Sequence, residues 1–240
     1  MEVADTEEYI REINHAFGDG RLFTRKDLAD SLIRTHPKLR DSSVSWLVYN
    51  LLKRQVIYKI SRGLFALKQE QSTLAEYQAD LSNETQKIMR LISGHYPLLS
   101  FSVWETRALN EFANHQLSRN MVFVEVEKPL DEPVFESLRE RFECPVLYKP
   151  NSKEIGLYSN DLTISVITLT SEPPIQGHES TLEKILVDLF ANKLLQYIVS
   201  RSEYPMIFDT ARERYRINLN ALLRYARRRG KEEEVKGMLS

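Results

Sequence analysis

Residues 21–68 hold the pattern that most constrains what this chain can fold into: two short helices joined by a turn, followed at once by two strands on a tight hairpin. Thr24 suits the N-cap of a helix over Arg25–Arg34, with Leu28, Leu32 and Ile33 turned inward. His36-Pro37 ends that helix, because the residue before a proline is pushed out of the helical region. Asp41 or Ser42 then caps a helix to about Lys53, in which Val44, Leu47, Val48, Leu51 and Leu52 form one apolar stripe. Strands at Val56–Ile60 and Leu64–Leu67 follow, joined by Ser61-Arg62-Gly63, where glycine accepts the positive φ of a hairpin turn. A helix from a Thr6 cap to about Phe17, stopped by Gly18-Asp19-Gly20, precedes all of this. The order is that of a winged helix-turn-helix.

Charge is distributed in blocks. From Arg21 to Lys68 there are 11 Lys/Arg against 3 Asp/Glu, although the whole chain of 240 residues carries only −1. Residues 69–200 are acidic, with 11 Lys/Arg against 19 Asp/Glu, and residues 201–240 are basic again, with 10 against 6. A positive charge concentrated in one small module is the footprint of a phosphate-binding surface, so contact with double-stranded DNA is expected to be local. In a winged helix the second helix of the motif enters the major groove and the wing reaches flanking phosphates. Ser42, Ser43, Ser45, Trp46, Tyr49 and Asn50 occupy the outer face of that helix as base readers, since Asn pairs with adenine and Ser is a tolerant donor. Arg25, Lys26, Lys53, Lys59 and Arg62 are placed for phosphates. The plainer alternative is a solvated helix face with Trp46 packed on a neighbouring domain.

The polar stretch Lys68–Thr73 reads as a linker, dividing a DNA-binding domain at 1–70 from a second domain at 74–240. A helix is predicted over Leu74–Ser93. A strand at Leu98–Trp104, a helix at Glu105–Gln116, a strand at Met121–Val126 and a helix at Glu132–Phe142 follow. Pro145–Tyr148, Glu154–Tyr158 and Thr163–Leu169 read as further strands. Uninterrupted apolar strands between helices argue for an α/β sheet covered on at least one face. After Pro173-Pro174 the chain turns helical, at Thr181–Ser200, Tyr204–Tyr215, Asn220–Arg229 and Glu232–Leu239. The expected fold class is therefore mixed α+β: a winged helix-turn-helix, then an α/β domain with C-terminal helices.

Three segments together resemble one known family. The wing ends in Gly63-Leu64-Phe65-Ala66-Leu67. Pro173-Pro174 is followed by Leu182-Glu183-Lys184-Ile185-Leu186-Val187-Asp188-Leu189, and the chain closes on Leu219-Asn220-Ala221-Leu222-Leu223-Arg224-Tyr225-Ala226-Arg227-Arg228-Arg229-Gly230. These resemble the AbiEi family, the antitoxin and transcriptional repressor of type IV toxin–antitoxin and abortive-infection systems. The family's Pro-Glu-Lys begins here with Leu182, while Glu183, Lys184 and Asp188 are kept. The resemblance implies repression of the protein's own promoter and opposition to a co-encoded nucleotidyltransferase-like toxin, which need not involve a stable complex between the two. It marks Glu183, Lys184, Asp188, Arg224, Arg227, Arg228 and Arg229 as residues of the antitoxin domain.

Enzymatic chemistry finds little support. Glu125, Glu127 and Lys128 lie near a strand as nuclease residues do, but Lys128 directly follows Glu127 and falls on the opposite face, so the acid-x-Lys spacing is missing. The histidines at 15, 36, 95, 115 and 178 show no metal-ligand spacing, and no Gly-rich phosphate loop occurs, so neither metal nor cofactor is expected. Lys184 and Asp188 read as an i, i+4 pair, with Glu183 in a cap contact. Arg212, Arg214, Arg216, Arg224, Arg227, Arg228 and Arg229 with the single acid Glu213 form a second DNA surface, an RNA or toxin contact, or the exposed face of terminal helices. The lone Cys144 excludes an internal disulfide and reads as a buried structural thiol. An acidic N-terminus without an apolar h-region and the lack of any long apolar run point to a cytoplasmic protein with no membrane partner. The competing readings are a winged-helix regulator with a ligand- or partner-sensing α/β domain and no toxin, and a degenerate nuclease.

Overall fold

The structure, a computed structural model, describes residues 3–18, 21–37, 39–68 and 74–239. The chain forms two compact units, Met1–Ala75 with Lys236–Ser240, and Glu76–Val235. Asp19, Gly20 and residues 69–73 of the expected linker lie outside the described residues.

The first unit runs α1 (Val3–Phe17), β1 (Leu22–Thr24), α2 (Arg25–Thr35), α3 (Asp41–Lys53), β2 (Ile57–Ser61) and β3 (Leu64–Leu67). Its strands pair antiparallel in the order β1-β3-β2. Thr24 caps α2 as expected: its hydroxyl accepts from the Asp27 amide at 3.2 Å, while the Asp27 carboxylate accepts from the Thr24 amide at 2.8 Å. Such a reciprocal box satisfies two amides that the first helical turn leaves open. The hairpin turns at Gly63 with φ +75°, a conformation a Cβ would strain. Ile13, Phe23, Leu28, Leu32, Val44, Leu47, Leu51, Ile57 and Phe65 close into one core.

Several expectations for this unit fail. Ile33 is 46% exposed rather than inward, because the inward face of α2 is already filled by Leu28 and Leu32. The N-cap of α3 is Arg40, without a side-chain cap bond, so Asp41 and Ser42 fall inside the first turn. Helix α1 starts three residues before Thr6, whose side chain lies outside the described residues. Strand β1 was not anticipated; three residues carry no readable period, and only pairing with β3 makes them a strand.

In the second unit come α4 (Asn83–His95), β4 (Phe101–Glu105), β5 (Asn120–Val126), α5 (Asp131–Arg141), β6 (Val146–Tyr148), α6 (Ser152–Tyr158), β7 (Leu162–Thr168), β8 (Ile175–Gln176) and β9 (Glu179–Ser180). Helices α7 (Leu182–Ala191), α8 (Tyr204–Arg214) and α9 (Leu219–Arg228) follow, and α10 (Glu232–Met238) begins in this unit and ends among the C-terminal residues assigned to the first. The sheet order is β6-β7-β5-β4-β9-β8, parallel at β6/β7, β5/β7 and β4/β9 and antiparallel at β4/β5 and β8/β9. Alternation along β5 sends Val122, Val124 and Val126 into a core with Ile88 and Ile92 of α4 and Val134 and Leu138 of α5. Phe123 and Glu125 face the other way, where Glu125 meets α7. The architecture is mixed α+β with C-terminal helices.

Here too the sequence misleads in places. The helix expected over Leu74–Ser93 starts only at Asn83, where the Ser82 hydroxyl accepts from the Thr85 amide at 3.2 Å. The strand expected at Glu154–Tyr158 is helix α6, nucleated by a capping box between Asn151 and Glu154. The helix expected over Glu105–Gln116 shrinks to a 3-10 turn at Thr106–Glu111; Asn120 Oδ1 accepts from the Arg107 amide at its start, and Asn110 Oδ1 takes the Leu117 amide, which a continued helix would use for its own ladder. The strand expected from Leu98 begins at Phe101, and the helix expected to Ser200 ends at Ala191. Cys144 is half-buried, with its thiol pushed above the ordinary value by burial.

Candidate functional site

The exposed face of α3 follows from the burial of its other face. Once Val44, Leu47, Val48 and Leu51 enter the core, helical geometry turns Ser42, Ser45, Trp46 and Tyr49 outward; Trp46 is 45% and Tyr49 62% exposed. Ser43 and Asn50 lie half-buried at its margins. Arg25, at the start of α2, donates from Nε to Ser45 Oγ at 3.1 Å, which ties the N-terminus of α2 to this face. The Asn50 amide donates to the Trp46 carbonyl at 2.9 Å, so part of its hydrogen-bonding capacity is used within the helix. Lys26, Lys53, Lys59 and Arg62 are exposed, Lys53 at the end of α3 and Arg62 at the hairpin turn beside Gly63.

A second, very different cluster lies in the other unit. Helix α7 is apolar and buried nearly all round, so its two buried charges, Lys184 and Asp188, have no route to water. They pair at i, i+4, with Lys184 Nζ 2.6 Å from Asp188 Oδ2. The same ammonium donates to Glu125 of β5. Asp188 Oδ1 accepts from Arg229 Nη1 at 2.8 Å and from the Tyr225 hydroxyl at 3.1 Å, and Arg229 also reaches the Tyr225 oxygen at 2.9 Å. Gly230, with φ +64°, ends α9 and leaves Arg229 at its cap, turned into this cluster. Two carboxylates thus face two cations, and the buried charge balances.

Burial pushes the Glu125 carboxyl above the ordinary carboxylate value, against the attraction of Lys184. Burial alone lowers a lysine, but Asp188 and Glu125 together hold Lys184 above its ordinary value. Lys184 is fully buried, and Glu125 and Asp188 are at 2% exposure or less.

Of the residues the sequence marked in this domain, the structure brings Lys184, Asp188 and Arg229 together and leaves the others apart. Glu183 accepts from the amide of Asn218, the N-cap of α9, at 2.8 Å; the expected cap contact exists, but on another helix. Arg224, Arg227 and Arg228 are exposed, Arg227 paired with Glu232 at 2.7 Å and Arg228 with Glu172. Arg212, Arg214 and Arg216 likewise meet Asp209, Glu111 and Glu76. Much of the basic run is therefore answered by carboxylates brought from distant segments, and it presents far less free positive charge than its sequence suggests. Glu125 and Tyr225 were missed as members of the cluster. A single acid inside the apolar run Met121–Val126 was the available signal, since a charge in a buried strand demands a partner.

The second unit also holds a cleft of about 590 Å³ between the 115–121 segment, α6 and residues 197–203. Arg119, Ser152, Ser159, Asn160, Tyr197 and Ser200 line it, with Arg119 Nη1 donating to Ser159 Oγ at 3.0 Å. None of these was marked by the sequence.

The model of a family of unknown function, DUF6577, matches residues 43–240. The chain belongs to that family. The match begins within α3 and takes in the hairpin, both faces of the mixed sheet and the whole buried cluster, so DUF6577 spans more than an isolated helical module. Comparison with curated proteins finds no match. Among the described residues, no helix is long and apolar enough to cross a membrane.

Proposed function

We propose that this protein is a DNA-binding transcriptional repressor and antitoxin, whose first unit is a winged helix-turn-helix that reads double-stranded DNA of its own promoter through α3. The observation that carries this reading is the outward face of α3, with two aromatic rings and serine hydroxyls in water and Arg25 bound to Ser45 at its edge. Around it stand exposed Lys26, Lys53, Lys59 and Arg62, positioned for phosphates that fix the register without specifying sequence. The order helix, strand, helix, helix, hairpin, with strands paired β1-β3-β2, supports this reading, in which the third helix would enter the major groove.

The antitoxin part rests on the resemblance of the wing, α7 and α9 to AbiEi proteins, and its counterpart is a co-encoded nucleotidyltransferase-like toxin. The second unit is read as non-enzymatic, because its acid–lysine group is sealed and charge-balanced.

DNA binding is tested by fluorescence anisotropy of the full chain with duplex from its upstream region. With roughly 4–6 phosphates neutralised, log affinity should fall steeply and linearly with log salt, with a slope near −0.9 per phosphate. An affinity flat in salt would refute it. For the antitoxin part, cells expressing the neighbouring toxin should be rescued equally by the wild type and by a Lys53→Ala/Lys59→Ala/Arg62→Ala variant that no longer represses. Loss of rescue in that variant would reject the division between the two units.

A second reading, a winged-helix regulator whose second unit senses a small ligand and opposes no toxin, is favoured by the cleft at Arg119. Its volume lies within the range of small-molecule sites. It predicts repression relieved by a metabolite extract and insensitive to that extract after Arg119→Ala.

A further inference from the structure

We propose that Glu8, Glu12 and His36 form a binding site for a divalent transition-metal ion of the zinc class. Glu8 and Glu12 stand one turn apart on the same face of α1, and His36 is the C-cap of α2. One donor atom from each lies within 4.8 Å of the others, and His36 Nε2 is 3.1 Å from Glu12 Oε1. Around zinc, bonded to each at about 2.1 Å in a tetrahedron, three such atoms stand about 3.4 Å apart. Glu8 is exposed, so its side chain has room to swing toward the other two donors.

Groups outside the triad already hold two of its members. Thr35 Oγ1 donates to Glu12 Oε2 at 2.8 Å, leaving Oε1 directed at the imidazole, and the Tyr9 ring meets His36 edge-on with centroids 4.8 Å apart. Supporting contacts of this kind orient metal ligands and raise affinity. Two carboxylates at i, i+4 repel one another, and a divalent cation converts that repulsion into attraction. One imidazole nitrogen with two carboxylates suits zinc, cobalt or nickel better than magnesium, which prefers oxygen and water alone. Three protein donors leave a fourth position for solvent. A bound ion would tie α1 to the C-terminal end of α2, the helix that leads into α3. The site was not legible from spacing, because its histidine lies 24 positions from the nearer glutamate. It stands whether or not α3 binds DNA.

The test uses the full chain, stripped with EDTA and titrated with ZnCl2 by calorimetry and thermal shift, and with CoCl2 by visible absorption. The expected result is a single site, a melting temperature raised by zinc and not by the same concentration of MgCl2, and cobalt ligand-field bands. Glu8→Gln and His36→Gln should each weaken zinc binding by roughly tenfold or more, while His95→Gln and His115→Gln leave it unchanged. Glu8 is exposed, so its variant reports on binding rather than folding. Zinc binding that survives the Glu8→Gln/His36→Gln double variant, or the absence of saturable zinc binding by the wild type, would overturn the assignment.

Discussion

Replacing Lys184 by Met tests the buried cluster most directly. The ammonium is fully buried and, among the described residues, is the one cation within hydrogen-bond reach of Glu125, whereas Asp188 also has Arg229 at 2.8 Å and Tyr225 at 3.1 Å. Loss of Lys184 therefore falls mainly on Glu125, a carboxylate on the central strand at 2% exposure. Breaking a buried pair by removing one partner costs about 3–5 kcal/mol, because the survivor is left as an uncompensated buried charge. For a unit of this size each kcal/mol lowers the melting temperature by roughly 2–4 °C, so the expected fall is roughly 6–20 °C.

Urea unfolding followed by tryptophan fluorescence isolates the effect: Trp104 is buried against Phe123 in the same unit, while Trp46, the other tryptophan, is exposed in the first. A Lys184→Met/Glu125→Leu double variant should recover most of the loss, since removing both partners leaves an apolar core of similar volume. The deficit of Lys184→Met should also shrink in acid. A carboxyl whose folded-state value is raised contributes stability that is present below its unfolded value and is lost as pH rises through the folded one, so protonation relieves the orphaned Glu125. Lys184, also raised, contributes stability that is present at neutral pH and lost only as pH climbs past the ordinary lysine value. A single variant within about 1 kcal/mol of wild type, with no coupling in the double variant, would show that the cluster does not hold α7 to the sheet.

Four further outcomes are expected. Trp46→Ala and Tyr49→Ala should change stability by no more than about 0.5 kcal/mol yet reduce DNA affinity in anisotropy; an unchanged affinity would point α3 away from the groove. Ser45→Ala should relax sequence preference in competition against scrambled duplex, whereas Lys59→Ala and Arg62→Ala should weaken all sequences alike and each lower the salt slope by about 1. Thr24→Ala removes the capping box of α2 and should cost about 1 kcal/mol in chemical denaturation. Charge removal at Arg227 and Arg228 together should leave the melting temperature of the second unit unchanged, while Arg229→Gln should lower it, because of these three it is Arg229 that compensates a buried acid.

The first unit was largely legible from sequence. Its signals are local: the Thr24 cap, the His36-Pro37 stop, the 3.6-residue stripe of α3 and the positive φ at Gly63 each act within one turn of chain. The pair Lys184–Asp188 was legible for the same reason, since i, i+4 spacing on a helix fixes proximity without reference to anything else. Side-chain competition was not legible. Asn151 with Glu154 makes a helix of a stretch whose apolar residues read as a strand, and Asn110 takes an amide that a helix continued past Glu111 would use. Nor did the sequence show what the basic run would meet, because Glu76, Glu111 and Glu172 reach it only through the fold. The sequence alone determined the helices and hairpin of the first unit and where the positive charge begins. Tertiary structure decided that Glu125 and Arg229, more than a hundred positions apart, complete a charge-balanced core around Lys184 and Asp188, because a buried charge must find its partner wherever the packed chain brings one.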